Sequence, residues 1–232
     1  MDLRQPLLFQ VGMMGPEYWK WVHAPVPGAP RFFRSGLLEH CTKTPWWVVP
    51  AVWGPVWLAA VARAVAAARA KPPWAALAAA AAGLLAWQAL EYAIHRFIFH
   101  ARPSGYWAIT LHFGFHGCHH KYPSDGARLV FPPLPATAVA VLLNAASHAL
   151  LPQALAPAAF AGVLGGYLAY DVMHYCLHHG RRRRGWLGAL RAAHLAHHFR
   201  TPNAGFGISS GLFDALLATH VRCFVNRGLD SS

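Results

Sequence analysis

The sequence predicts an all-α membrane protein: about four transmembrane helices in two hairpins, with a cytosolic, histidine-rich cap that holds a dinuclear metal site. Three observations carry that prediction. The 232-residue chain is 56% hydrophobic and only 12% charged, with a mean hydropathy of +0.29, whereas soluble domains carry about 25% charged residues. Its apolar residues gather into runs of membrane-crossing length. Ten of its 16 histidines fall into four short clusters, HRFIFH, HGCHH, HYCLH and HLAHH.

Residues 1–45 are rich in proline and glycine and carry Tyr18, Trp19, Trp21, Phe32 and Phe33. They read as an ordered collar on the membrane face. The opening, MDLRQPLLFQ, lacks the apolar core of a cleavable signal, so insertion is expected to rely on internal spans. Residues 46–68 form the first span, opened by Trp46 and Trp47, with Pro50 and Pro55 as kinks that lipid-embedded helices tolerate. Arg69, Lys71 and Pro72–Pro73 make the turn. The second span starts at Trp74 and runs to about Ile94, and nothing breaks it before His100. It therefore projects past the lipid and carries His95 and His100 just outside. Residues 96–133 form a cytosolic insertion. Segments 134–151 and 157–177 form the second hairpin, joined by PQALAP. The first of these is short, holds Asn144, Ser147 and His148, and is expected to be tilted or partly submerged. Residues 178–232 complete the cap, and the whole of 1–232 reads as one domain.

Seventeen of the 20 Lys and Arg residues fall on one side of this topology, leaving Arg63, Arg69 and Lys71 on the other. By the positive-inside rule the rich side is cytosolic, and it is the side that carries all four histidine clusters. The net charge of +12 flanks apolar spans and is not interleaved with stacking aromatics, which excludes nucleic-acid binding and points to anionic headgroups. The Arg181–Arg184 run reads as such a headgroup contact. Arg96 and Arg128 read as snorkelling side chains, with headgroup binding as the alternative. Cys41, Cys118, Cys176 and Cys223 have no CxxC pairing, hence no disulfide framework and no zinc knuckle. Cys118 and Cys176 lie inside histidine clusters and are expected as buried thiols.

Imidazole suits zinc, iron and copper better than magnesium or calcium. Ten imidazoles are too many for one ion and suit two, about five each. The candidate ligands are His95, His100, His116, His119, His120, His174, His178, His194, His197 and His198. Spacings of i, i+3 and i+4 put His116, His119 and His120 on one side of a helix, where they can converge on one point. His95 and His100, five apart, lie about 140° apart on an ordinary helix; a π-bulge or a frayed end would bring them together. Asp171, three residues before His174, is a candidate to orient an imidazole, and Tyr170 a candidate to face the substrate pocket. Glu91 and Asp125 are weaker candidates of the same kind. His23, His40, His220 and His148 read as non-ligands, and His112 and His179 as neighbours of ligands at most.

The four boxes, in this order around paired spans, resemble the membrane fatty acid hydroxylase superfamily, and within it the fatty acid 2-hydroxylases of plant type. The likeness extends to PLLFQVG (6–12), APRFF (29–33), EYAIHRFIFH (91–100), GCHHKYPSDGARLVFPP (117–133), YDVMHYCLHHG (170–180) and HHFRTPNAGFGIS (197–209). Ser124 and Phe213 depart from the expected pattern, and Ser124 is expected to alter the acyl-channel lining. The resemblance implies two iron ions, with zinc able to occupy the same positions. It implies activation of O2 and hydroxylation of the carbon next to an acyl carbonyl, on a long-chain acyl lipid such as a ceramide. No HPGG string of a fused cytochrome b5 domain is present, so electrons are expected from a separate cytochrome b5 and its reductase. The implied place is the endoplasmic reticulum membrane with the site facing the cytosol, or the inner membrane for a bacterial protein. Two other readings are a sterol or carotenoid oxygenase of the same superfamily and a zinc-binding membrane transporter or sensor. The latter would place its ligands near the bilayer midplane, not beyond the span ends.

Overall fold

Among the described residues the backbone forms ten α-helices and three short segments of tighter or wider helix: α1 (Tyr18–Val22), α2 (Gly36–Cys41), α3 (Val48–Ala68), α4 (Pro73–Ala93), α5 (Tyr106–His112), α6 (Cys118–Lys121), α7 (Pro133–Leu150), α8 (Ala156–His179), α9 (Gly185–Phe199) and α10 (Leu212–Leu216). This is a computed structural model and describes residues 2, 4–69, 72–181 and 184–221. Lys71, Cys223, and Arg182 and Arg183 of the basic run lie outside the described residues.

Three stretches among the described residues are long and apolar enough to cross a bilayer: Val48–Ala68, Trp74–Phe99 and Pro133–Leu150. The segment read as short, 134–151, is thus a full-length apolar helix. The fourth expected span is the 24-residue α8, which is not among the three. Packing accounts for this. Helix α8 lies against α3, α4 and α7, and twelve of its residues are buried. A helix lined by protein can keep Gly, Tyr and Asp where a lipid-facing one needs apolar side chains.

Within lipid the hydrophobic effect does not press helices together, so close packing must do it. Helix α8 meets α4 through glycines. A Cβ added at Gly83 would run into the carbonyl oxygen of Ala159, and one at Gly162 into that of Ala80. At Gly166 it would lie 2.7 Å from the Cβ of Trp87. Gly162 and Gly166 form a GxxxG pair, a sequence signal for such contact. The shared core above them contains Val49, Trp53, Trp87, Val163, Leu164 and Tyr167.

The N-terminal collar is more than a membrane-face covering. Its Leu7, Val11, Tyr18, Val22 and Phe32 form one buried cluster with Ile109, Phe113, Cys118 and Tyr122, so it is half of the core of the cap. Arg128 is a correction to the snorkelling reading. Its side chain is 4% exposed. It donates to Asp125 at 2.7 Å and to Glu39, and it lies 4.5 Å from the ring centre of Phe32. Arg96 likewise turns inward, donating to the Tyr92 hydroxyl at 2.7 Å. Cys118 is buried as expected, but Cys176 is exposed. Ser124 is also exposed; its hydroxyl accepts from the Gly28 amide at 3.4 Å, and it lines neither of the cavities described below.

Candidate metal centre

Helix α4 does not stop at the end of its regular turns. It widens into a π-helical segment, Ile94–Phe99, closed by a bond from the His100 amide to the His95 carbonyl at 3.0 Å. That five-residue step returns the chain to the same side, and the two imidazole rings come within 4.9 Å. A second π segment, Phe113–Gly117, feeds into α6 and sets the HGCHH stretch.

Two histidine groups result. In the first, His119, His174, His178, His194 and His198 each offer a nitrogen; in the second, His95, His100, His116 and His120 do so. Within each group these nitrogens lie within 4.8 Å of one another. Two metal–nitrogen bonds of about 2.1 Å place opposed ligands about 4.2 Å apart, so either group could hold an ion. His197 belongs beside the second group, with its Nε2 3.0 Å from that of His100. All ten predicted histidines are therefore brought together, five and five.

The convergence expected of His116, His119 and His120 on one point does not occur. His116 and His120 enter the second group, and His119 enters the first. The HLAHH stretch divides in the opposite sense, with His194 and His198 in the first group and His197 beside the second. Helix geometry explains the division. Residues i and i+4 lie about 40° apart around the axis, whereas i+3 and i+4 lie about 100° apart. One box thus serves two sites, and two boxes cross between them.

Buried polar atoms test whether these groups fit a cation. Eleven histidine nitrogens are buried without a hydrogen-bond partner: Nε2 of His95, Nδ1 of His100 and His194, and both nitrogens of His119, His120, His174 and His198. At about 1–3 kcal/mol each, they would cost roughly 10–30 kcal/mol, against a typical net stability of about 5–15 kcal/mol. Burial, and then neighbouring imidazoles, hold His116, His119, His120 and His198 well below the usual histidine range. They stay neutral, the form that donates a lone pair to a metal.

Orientation comes from a loop that sequence reasoning left unassigned. The Nδ1–H of His95 donates to the Phe206 carbonyl at 2.6 Å, and that of His197 to the Ala204 carbonyl at 2.7 Å. Each bond leaves Nε2 free to face the cluster. Two carboxylates hold the loop. Glu91 accepts from the amides of Ile208 and Ser209 at 2.6 and 2.8 Å, and from the Ser209 hydroxyl. Asp214 accepts from the amides of Phe206 and Gly207 at 2.9 and 2.7 Å. Asp214 was not singled out from the sequence; the GFGIS string beside it was the available signal.

Asp171 does not orient an imidazole. Its carboxylate accepts from the Phe131 amide at 3.2 Å, while both nitrogens of His174 lack partners. It fastens the 128–132 loop to α8. Asp125 serves Ala127 and Arg128. His112 accepts from the Tyr18 hydroxyl at 2.6 Å and donates to the Phe99 carbonyl at 2.7 Å, bracing the turn that carries His100. His148 bonds to Gln153, and His179 and His220 are exposed. His23, read as isolated, has its ring 5.1 Å from that of His120 and bonds to the Trp19 carbonyl.

Two cavities meet at the histidines. A narrow apolar one, about 110 Å³, lies between α4, α7 and α8 and touches His95. A wider one, about 430 Å³, touches His116, His119 and His174 and opens among exposed Phe9, Trp107, Leu111 and Phe115. Tyr170, Phe99 and Phe131 line both, so Tyr170 stands at the junction.

A helical bundle with bilayer-length apolar helices and two buried imidazole clusters at one end defines an integral-membrane protein able to hold metal. The chain belongs to the fatty acid hydroxylase family, whose sequence profile matches residues 80–219. It is 43% identical to a dihydroceramide fatty acyl 2-hydroxylase of Arabidopsis thaliana, over 94% of this chain and 92% of that protein. It is 41% identical to the fatty acid 2-hydroxylase of Homo sapiens, over 92% of this chain and 63% of the human protein. A solved structure described as full-length scs7p, with only the hydroxylase domain visible, superposes with a TM-score of 0.85 at 35% identity. That match covers 95% of this chain and 85% of the other.

Proposed function

We propose that this chain hydroxylates C2 of long-chain fatty acyl groups carried by ceramides and related sphingolipids, using O2 at a dinuclear iron centre. The observation that carries the reading is the meeting of two largely apolar cavities at the two histidine groups. A carbon next to an amide carbonyl has a long tail on one side and the rest of the lipid on the other. Reaction there requires space in both directions, and Tyr170 stands where the two spaces join. The narrow cavity receives the acyl tail, and the wider one the remainder of the lipid.

Overall, one oxygen atom of O2 enters the C–H bond and the other leaves as water, with consumption of two electrons and two protons. A separate cytochrome b5 and its reductase deliver the electrons at the cytosolic face. Two iron ions, one held by His119, His174, His178, His194 and His198 and the other by His95, His100, His116, His120 and His197, would supply the oxidising power that a C–H bond demands; zinc suits the same donors. The chain's own residues do the rest. Buried side chains exclude water from the reacting carbon. The Phe206 and Ala204 carbonyls fix two imidazoles. Asp171 positions the loop that forms the roof of both cavities. Helix α8 makes the fourth crossing, and the basic surplus favours a histidine end facing the cytosol; the membrane is that of the endoplasmic reticulum, or the inner membrane in a bacterium.

Expression in a host lacking this activity is expected to yield 2-hydroxy N-acyl ceramides by lipid mass spectrometry. Hydroxyl groups placed elsewhere on the lipid, or none above the empty-vector host, would contradict the assignment.

The loop makes a second prediction. Glu91→Ala leaves the Ile208 and Ser209 amides unpaired, so the Phe206 carbonyl shifts and His95 loses its restraint. Metal affinity of the second cluster is expected to fall about 10–100-fold, measured by metal retention against a graded chelator. Glu91→Gln keeps an acceptor for both amides and is expected to stay near wild type.

A further inference from the structure

The narrow cavity runs down α8 from Tyr170 through Tyr167, Leu164 and Val163 to Phe160. The ten residue steps from Phe160 to Tyr170 span about 15 Å, the hydrocarbon depth of roughly one leaflet. Below lies a separate cavity, and Phe160 lines that one too. Its other walls bring in Arg63, Asn144 and His148 beside the apolar Val56, Ala59, Ala60 and Pro157. The change falls at the same level on the neighbouring helix: on α7, Leu143 lines the upper cavity and Asn144 the lower. An acyl tail descending from the histidines thus meets an aromatic ring, and beyond the ring it meets polar groups.

We propose that Phe160 is the floor of the acyl cavity and sets the longest acyl chain that the enzyme accepts. This rests on the hydroxylase reading above. A chain about as long as a leaflet is deep ends on the ring. A longer one must displace the ring and bring methylenes against Arg63, Asn144 and His148, which forfeits apolar burial for each of those methylenes.

The test gives membranes containing the full chain a pair of ceramides, one with a leaflet-length N-acyl chain and one several methylenes longer. Phe160→Ala opens the floor and is expected to raise the ratio of long to short 2-hydroxy product by about tenfold or more, the discrimination that small apolar differences confer. Ala140→Phe fills the cavity above the floor and is expected to shift the ratio the other way; it needs no loss of packing, so it speaks even if Phe160→Ala folds poorly. A ceramide whose acyl tail ends in a photoreactive diazirine reports position without turnover. In wild type it is expected to label α8 around Phe160, and in Phe160→Ala the longer probe is expected to label the segment around His148. Unchanged product ratios in both variants, or labelling confined to the outer faces of α4 and α7, would overturn the proposal by showing that the tail leaves sideways. Correct labelling without any 2-hydroxy product would sink the hydroxylase reading and leave the floor standing.

Discussion

Replacing His119 with alanine is expected to bring 2-hydroxy lipid to the background of an empty host and to remove one metal ion per chain. His119 is the only member of the HGCHH stretch in the first histidine group; the other four come from α8 and α9. Its ring lies 4.7, 4.6 and 4.5 Å from those of His174, His178 and His198. Both of its nitrogens are buried without a hydrogen-bond partner. The substitution therefore takes away a donor and a tie from α6 to α8 and α9 at once. The second group, built from His95, His100, His116, His120 and His197, keeps its members. Product analysis and metal quantification on the same preparation check the prediction; a variant that retains both ions and makes product would contradict it.

Gly162→Leu is expected to prevent accumulation of folded protein. A Cβ at position 162 collides with the carbonyl of Ala80 in α4, and backbone cannot yield as a side-chain tip does. Overpacking that side chains absorb costs about 1–3 kcal/mol, and this clash exceeds what they can absorb. Helix α4 carries Trp87 and Glu91 and runs into the π segment that holds His95, so forcing it from α8 dismantles the acyl cavity and the second cluster together. Gly54→Leu is the control, since a Cβ there meets nothing within 4 Å. Fluorescence-detected size-exclusion chromatography is expected to show a sharp peak for Gly54→Leu and an aggregated or absent one for Gly162→Leu.

Much of this site was legible in the residues because imidazoles in a mostly apolar chain have few other uses. The spacing of His95 and His100 called for a π turn, and one closes at that point. What spacing alone could not reveal is how one box is shared between two sites. Neighbouring residues diverge by about 100° on a helix, and whether that angle separates two ligands or is absorbed by a bend depends on what packs opposite. The carboxylates were harder still. Asp171 was assigned to His174 by its i+3 spacing, yet its partner is the amide of Phe131, forty residues away in sequence. Glu91 serves amides 117 and 118 residues distant. Such bonds are set by tertiary contact and leave no periodic trace. The same holds for the collar, whose proline-rich text hides that Leu7, Val11, Tyr18, Val22 and Phe32 are core residues. Among the spans, the segment that looked short proved long and apolar enough to cross, whereas α8 spends its face on helix contacts.

The most direct measurement is anomalous diffraction from the purified full chain at the iron and zinc edges. Two peaks per chain are expected, a few ångströms apart. One lies among His119, His174, His178, His194 and His198, the other among His95, His100, His116, His120 and His197. A single peak, or one peak surrounded by His116, His119 and His120 together, would contradict the account.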